Sequence, residues 1–384
     1  VQFLTLERRF ILIFSKLVIL IAVLALLASC SNSNENSKVK EEFLHEVWAY
    51  ETGLKITSTP LYLDGSIYFG SDDRKLHSVN AETGKPNWVY DADSAIRSSP
   101  KLSGDAIIVQ SHAGTIYSIQ AKSGEEQWQV AKKAGLGEKD VWDYYDSSAA
   151  IDDDTLYIGS ANRNLYALDV STGEEIWSYK AVGPIKSTPV YDSDSVYFGD
   201  WEGNMYAVNK ETGALKWTVG TIPNGTHKAI QSTPVLHDGI LYVGGRNFVL
   251  HAFQASDGKL LWEVSTPAWV ANPIYDDGML YVGNSNGNFM QAIDAKSGEE
   301  KWRYTSESNI LSAPLLEDGM LYFGTGYAYN DVHRDEFIYA VDAKTGKLSW
   351  KVPSGKVQST PLINNGMLYY TSFDSSLHAI NITP

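Results

Sequence analysis

The chain has 384 residues, 43% hydrophobic and 20% charged, a balance that fits a folded globular protein and excludes a disordered one. Its formal net charge is −15 with a pI near 5.0, and the body of the chain has no long Lys/Arg cluster, so nucleic acid is not an expected partner. A single cysteine excludes an intrachain disulfide, a CxxC zinc site and an iron–sulfur cluster, and no two of the eight His are spaced i, i+2 or i, i+4, so no metal site is expected.

Residues 1–29 read as a signal peptide. Arg8, Arg9 and Lys16 flank the apolar run from Leu17 to Ala28, whose 12 residues fall short of a bilayer-spanning helix. The run ends in Leu27-Ala28-Ser29-Cys30, which resembles a bacterial lipobox, with the Cys30 sulfur taking the diacylglycerol. Residues 30–43 are polar and read as a lipidated, flexible tether. The expected protein is exported and membrane-anchored through its lipid alone. It would sit on the periplasmic face of the outer membrane, or at the cell surface where that membrane is lacking.

Residues 44–384 are one repeat. The pattern small-x-(Asp/Asn/Gln)-x-x-(Thr/Ser/Asp)-Gly-x-x-x-Trp recurs seven times, ending at Trp88, Trp128, Trp177, Trp217, Trp262, Trp302 and Trp350. An eighth tryptophan, Trp48, precedes the first of these by 40 residues, and the later spacings of 40, 49, 40, 45, 40 and 48 imply a 40-residue unit carrying three insertions. A period of this size means a propeller or a solenoid. Within residues 231–262, apolar runs are separated by Asp238-Gly239 and Asp257-Gly258, which predicts four short strands joined by hairpins, and so a propeller blade. Recurrence of the Asp-Gly turn makes much of the acidic surplus turn chemistry rather than a calcium site.

A Ser-Thr-Pro-like signature opens the first strand of each unit, at Pro60, Pro100, Pro189, Pro234, Pro273, Pro314 and Pro361, with Ala149 in the third copy. That predicts eight innermost strands. The last unit stops after three strands, while the segment from Glu46 to Glu51 is a fourth strand without a blade. Joined, they close an all-β, eight-bladed propeller of four-stranded antiparallel blades.

These residues resemble pyrroloquinoline-quinone-type propeller repeats with their tryptophan-docking motif. The resemblance implies that the eight repeat tryptophans, Trp48 included, are structural and pack between blades. It also implies one of two functions. Quinoprotein dehydrogenases hold the quinone and a calcium ion, typically beside an adjacent-cysteine pair; this sequence has neither that pair nor a recognisable calcium-ligand set. The other branch comprises BamB-like lipoproteins of outer-membrane β-barrel assembly, which the length, lipobox and repeats resemble. The reading is a monomeric, non-enzymatic, cofactor-free scaffold that binds an envelope protein such as a β-barrel assembly component. The alternative is a quinone-dependent dehydrogenase or a ligand-binding sensor propeller.

Two groups of residues are candidates for binding. The position before each first-strand signature is Thr57, Arg97, Asp146, Lys186, Gln231, Val270, Leu311 and Gln358, which a propeller would arrange as a ring at the channel mouth. Arg97, Asp146 and Lys186 would there form either an anionic-ligand pocket or a mutually neutralising rim. Trp142, Trp201 and Trp269 lie outside the repeat motif, in or beside longer connections that also hold Tyr144, Tyr145, Tyr327 and Tyr329. All belong to connections that emerge on one face of a meander blade, so these aromatics are the expected partner anchors.

Overall fold

The two-residue turns set the architecture. Asp64 and Gly65 have φ of 46° and 78°, and the pairs from Asp238, Asp277, Asp318 and Asn365 repeat this left-handed geometry. That is the type I′ turn, whose twist matches a tight hairpin. The computed structural model describes residues 44–132, 146–221, 228–267, 269–285, 287–326 and 336–383. Among them the chain forms 32 strands and no helix. The strands make eight four-stranded antiparallel sheets, each a meander in sequence order apart from the last.

Seven blades are continuous: 61–91, 101–131, 150–180, 190–220, 235–265, 274–305 and 315–353. Blade 8 joins Leu362–Asn364, Met367–Thr371 and Ser376–Asn381 to the N-terminal strand His45–Glu51, which pairs antiparallel with Trp48 opposite Ala379 and a register shift between Glu46 and Trp48. The ring closes with the two ends of the chain sharing one sheet. The innermost strands are three residues or fewer, and those of blades 2 and 3, 4 and 5, 5 and 6, and 8 and 1 approach one another around the axis.

There is no single core. Second and third strands are buried on both faces because each blade is sandwiched between two others, and the apolar clusters fill the seams. One such cluster joins Ile67, Phe69 and Val79 of blade 1 to Tyr369, Leu377 and Ala379 of blade 8. At the outer edge of that seam Trp48 donates its indole N–H to Ala81 O at 3.2 Å and lies over Gly84 of the next blade. A Cβ on Gly84 would stand 2.6 Å from the indole, and its φ of 67° favours glycine independently. The arrangement repeats from Trp88 to Ala121 O, Trp128 to Val170 O, Trp177 to Lys210 O, Trp217 to Ala255 O, Trp262 to Ala295 O and Trp302 to Ala343 O. Trp350 faces blade 8, whose third and fourth strands are not joined by a turn, and packs beside Tyr322 with ring centroids 5.8 Å apart.

The Ser-Thr-Pro signature is a belt. Ser58 Oγ donates to Gly70 O at 2.7 Å and accepts from Gly70 N–H at 2.9 Å, fastening the approach to the innermost strand onto the second strand. Ser98, Ser187 and Ser232 do the same in their blades. The next residue reaches across the seam. Thr360 N–H donates to Thr59 Oγ1, Thr59 N–H to Ser99 Oγ, Ser99 N–H to Ser148 Oγ and Ser148 N–H to Thr188 Oγ1, so the chain of bonds runs through the point of closure.

Glycine at the end of the second strand admits the neighbouring connection. A Cβ on Gly70 would lie 2.2 Å from Ile96 Cγ2 and 2.6 Å from Ile96 O. Backbone is part of that clash, so Gly70→Ala is expected to cost about 1–3 kcal/mol, readable as a lower urea midpoint at unchanged slope. This contact corrects one assignment. Val270 is not a rim residue: it packs on Gly244 and donates its N–H to Gly245 O at 3.2 Å, as Ile96 packs on Gly70. Asn272 Oδ1 accepts from Thr233 N–H, which puts Asn272 in the belt. Only Ala271 remains between Val270 and Asn272, so this connection is one residue short.

Candidate binding face

Connections between blades interlock with those between second and third strands. Ile96 N–H donates to Ser71 O at 3.0 Å, and Trp201 N–H to Pro184 O at 2.8 Å. Both kinds therefore share one face, here the loop face; the tight hairpin turns occupy the other, the turn face. Trp142, Tyr144, Tyr145, Tyr327 and Tyr329 lie outside the described residues.

The rim residues are engaged separately rather than with one another. Arg97 makes a fork on Asp72, with Nε to Oδ1 at 2.8 Å and a terminal nitrogen to Oδ2 at 3.1 Å. Asp146 meets His112 Nδ1 at 3.1 Å. Lys186 is 8% exposed, with its ammonium 5.1 Å from the Trp201 ring centre. Each rim charge is thus met by a group from a connection between second and third strands, a pairing that spacing along the sequence does not reveal.

Trp201 and Trp269 come together around a residue the sequence did not single out. Arg246 is 7% exposed, and its guanidinium lies 4.2 Å from the Trp269 ring centre and 5.2 Å from that of Trp201. Both indoles are half-buried. Trp201 and Arg246 hold the same position of successive units, two residues after Gly199 and Gly244, and their meeting with Trp269 emerges only in the folded ring. Desolvated cation–aromatic contacts are worth roughly 2 kcal/mol, which makes this a rigid patch. A second such patch places Phe373 between Lys55 and Lys356, at 5.0 and 4.1 Å from the ring centre. Burial first, and the Lys55 charge second, push the Lys356 ammonium down to about 8.

Between the two faces runs the channel, with a cavity of about 500 Å³ lined by innermost strands of blades 2 to 5. Among the described residues its lining mixes aliphatic side chains with Thr188, Thr233 and Tyr191, and Lys101 is its one charged side chain. Calcium takes 6–8 oxygen ligands, yet among the described residues no group of three or more His, Cys, Asp or Glu side chains stands together. A polycarboxylate quinone with its calcium ion therefore does not fit this lining.

The model of the family described as outer membrane protein assembly factor BamB matches residues 45–141, 134–233, 223–328, 249–352 and 316–383. The chain belongs to that family. It is 25% identical over 241 residues to outer membrane protein assembly factor BamB of Moranella endobia, covering 59% of each chain. With its Salmonella typhimurium counterpart the identity is 30% over 267 residues, 64% of this chain and 65% of that one. The aligned stretch thus spans less than two thirds of these relatives. The crystal structure of BamB from Moraxella catarrhalis has the same fold, with a TM-score of 0.71 at 18% identity over 88% of this chain and 99% of that one. A quinohemoprotein alcohol dehydrogenase from Pseudomonas putida is 30% identical over 141 residues, but these are only 19% of its length.

Proposed function

We propose that the protein is a lipid-anchored, non-enzymatic scaffold in outer-membrane β-barrel protein assembly. Cys30 carries the lipid, and the loop face docks an envelope protein, a component of the assembly machinery. The observation that carries this reading is the BamB-family match, which runs through every blade from residue 45 to 383. The Trp201–Arg246–Trp269 patch supports the choice of face, since Trp and Arg dominate the energetics of protein interfaces. The repeat tryptophans have a structural part, each spanning a seam. The dehydrogenase reading shares the fold but lacks a lining suited to the quinone.

Capture of partners from detergent-solubilised envelopes tests the docking face. Trp201→Ala with Trp269→Ala is expected to weaken capture at least tenfold while cooperative unfolding persists. Capture kept by this pair and lost on changing the turn face would move the docking site to the other side of the disc. Cys30→Ser should shift the protein from the membrane to the soluble fraction. A bound chromophore and dye-linked dehydrogenase activity, after incubation with the quinone and calcium, would replace the scaffold reading altogether.

A further inference from the structure

Seven of the eight blades begin the innermost strand on an apolar residue; blade 2 begins on Lys101. Packing of these strands does not require a cation there. Lys101 faces the 500 Å³ cavity together with Leu102, Ala150, Ile151, Val190 and Leu236. Water reaches its side chain, yet protein surrounds it closely enough that burial lowers its pKa. Among the described residues, no carboxylate forms an ion pair with it. Lys101 is exposed, so its ammonium keeps its water, and what it offers is a cation with no carboxylate partner among the described residues, beside apolar side chains.

The two mouths of the channel differ in charge. On the loop-face rim Arg97, Lys186, Lys55 and Lys356 outnumber the carboxylates of Asp72 and Asp146, whereas Asp152, Asp192, Asp276 and Glu317 end or follow innermost strands at the turn face. An anion is drawn in from the loop face and repelled from the turn face. The cavity volume falls in the range of roughly 300–1,000 Å³ that small-molecule sites occupy. With one cation lining the cavity among the described residues, a monoanion is the charge match.

We propose that the channel binds a small monocarboxylate with an aliphatic body, its carboxylate on Lys101 Nζ and its chain against Leu102, Ile151, Val190 and Leu236. This site is separate from the docking patch, so Lys101 variants leave partner capture unchanged. Calorimetric titration with octanoate, and with 1-octanol as its uncharged counterpart, tests it. Octanoate should bind the wild type, bind Lys101→Met at least tenfold more weakly, and bind Lys101→Arg nearly as well as wild type. Octanol should bind weakly and equally to all three. A carboxylate beside Lys101 raises its lowered pKa again, so octanoate binding at alkaline pH takes up protons in the wild type and not in Lys101→Met. Buffers of different ionisation enthalpy read that uptake. Absence of octanoate binding, equal affinity in wild type and Lys101→Met, or octanol binding as tightly as octanoate would overturn the proposal.

Discussion

Deleting residues 44–52 will leave a chain that no longer unfolds in one cooperative step and that aggregates. The strand His45–Glu51 is the outer strand of blade 8, and without it Ser376–Asn381 becomes an open edge. Its removal takes away the Trp48 indole over Gly84 and the bond from Thr52 N–H to Ser375 O at 2.7 Å. Trp48→Ala alone should cost about 3 kcal/mol, the usual loss for truncating a packed indole. An ionic latch adds to the closure. His378 lies between Asp374 and Glu46, with Nε2 2.9 Å and Nδ1 2.7 Å from their carboxylate oxygens. Burial opposes its charge, but the Asp374 and Glu46 carboxylates outweigh burial and raise its pKa. A raised folded-state pKa means that this contribution is full below the ordinary value of about 6.5 and is lost as pH rises through the raised one. Differential scanning calorimetry of the truncated chain reads the main effect, and Glu46→Gln should flatten the pH dependence near neutrality. A truncated protein melting like its parent would rule out closure by this strand.

Much of this architecture is legible in the sequence because the repeat is local. The interval from small residue to tryptophan spans one hairpin, so its spacing survives every insertion elsewhere. The Asp-Gly turns dictate left-handed backbone, and the Pro signature counts the innermost strands. What sequence spacing does not carry is contact between blades. Nothing within residues 266–273 tells that Val270 belongs in the pocket of Gly244, because the pocket is made by the preceding blade. The same holds for the belt, in which Thr360 finds Thr59 only when the ring is closed.

The binding face was legible as a face and not as a set of contacts. Equivalence of the rim positions places Arg97, Asp146 and Lys186 on successive connections; their partners Asp72, His112 and Trp201 also share one position, two residues past the second strand, but which blade's residue each rim charge meets is not set by that spacing. Arg246 holds that same position in blade 5, two residues after Gly244, as Trp201 follows Gly199. Its charge has meaning only once Trp201 and Trp269 are brought to either side of it. Lys101 is the converse case: its position in the repeat is plain, and its significance depends on the seven apolar residues that occupy that position in the other blades.

Acid will destabilise the protein in part through one buried histidine, and a single substitution will reduce the effect. His77, His251 and His378 are each the third residue of a third strand, and each meets the residue four positions earlier. For His77 and His378 that residue is Asp73 or Asp374; for His251 it is Asn247, whose Nδ2 donates to His251 Nε2 at 2.9 Å. The amide supplies no charge to offset burial. His251 is 3% exposed, and burial pushes its pKa down to about 4. Glu263 stands 3.6 Å from Nδ1, but its carboxylate is largely solvated and compensates little. A base with a depressed folded-state pKa makes its full contribution above about 6.5 and loses it as pH falls toward 4, here up to about 3 kcal/mol. Asn247→Asp restores the carboxylate found at the two sister sites, so His251 should then titrate well above 4. Urea unfolding at pH 7 and at pH 4.5 should show a stability gap in the wild type that shrinks in Asn247→Asp, with the His251 ring protons titrating to match. An unchanged gap in that variant would mean that acid acts elsewhere, because the substitution alters the one group that distinguishes His251 from His77 and His378 at this contact.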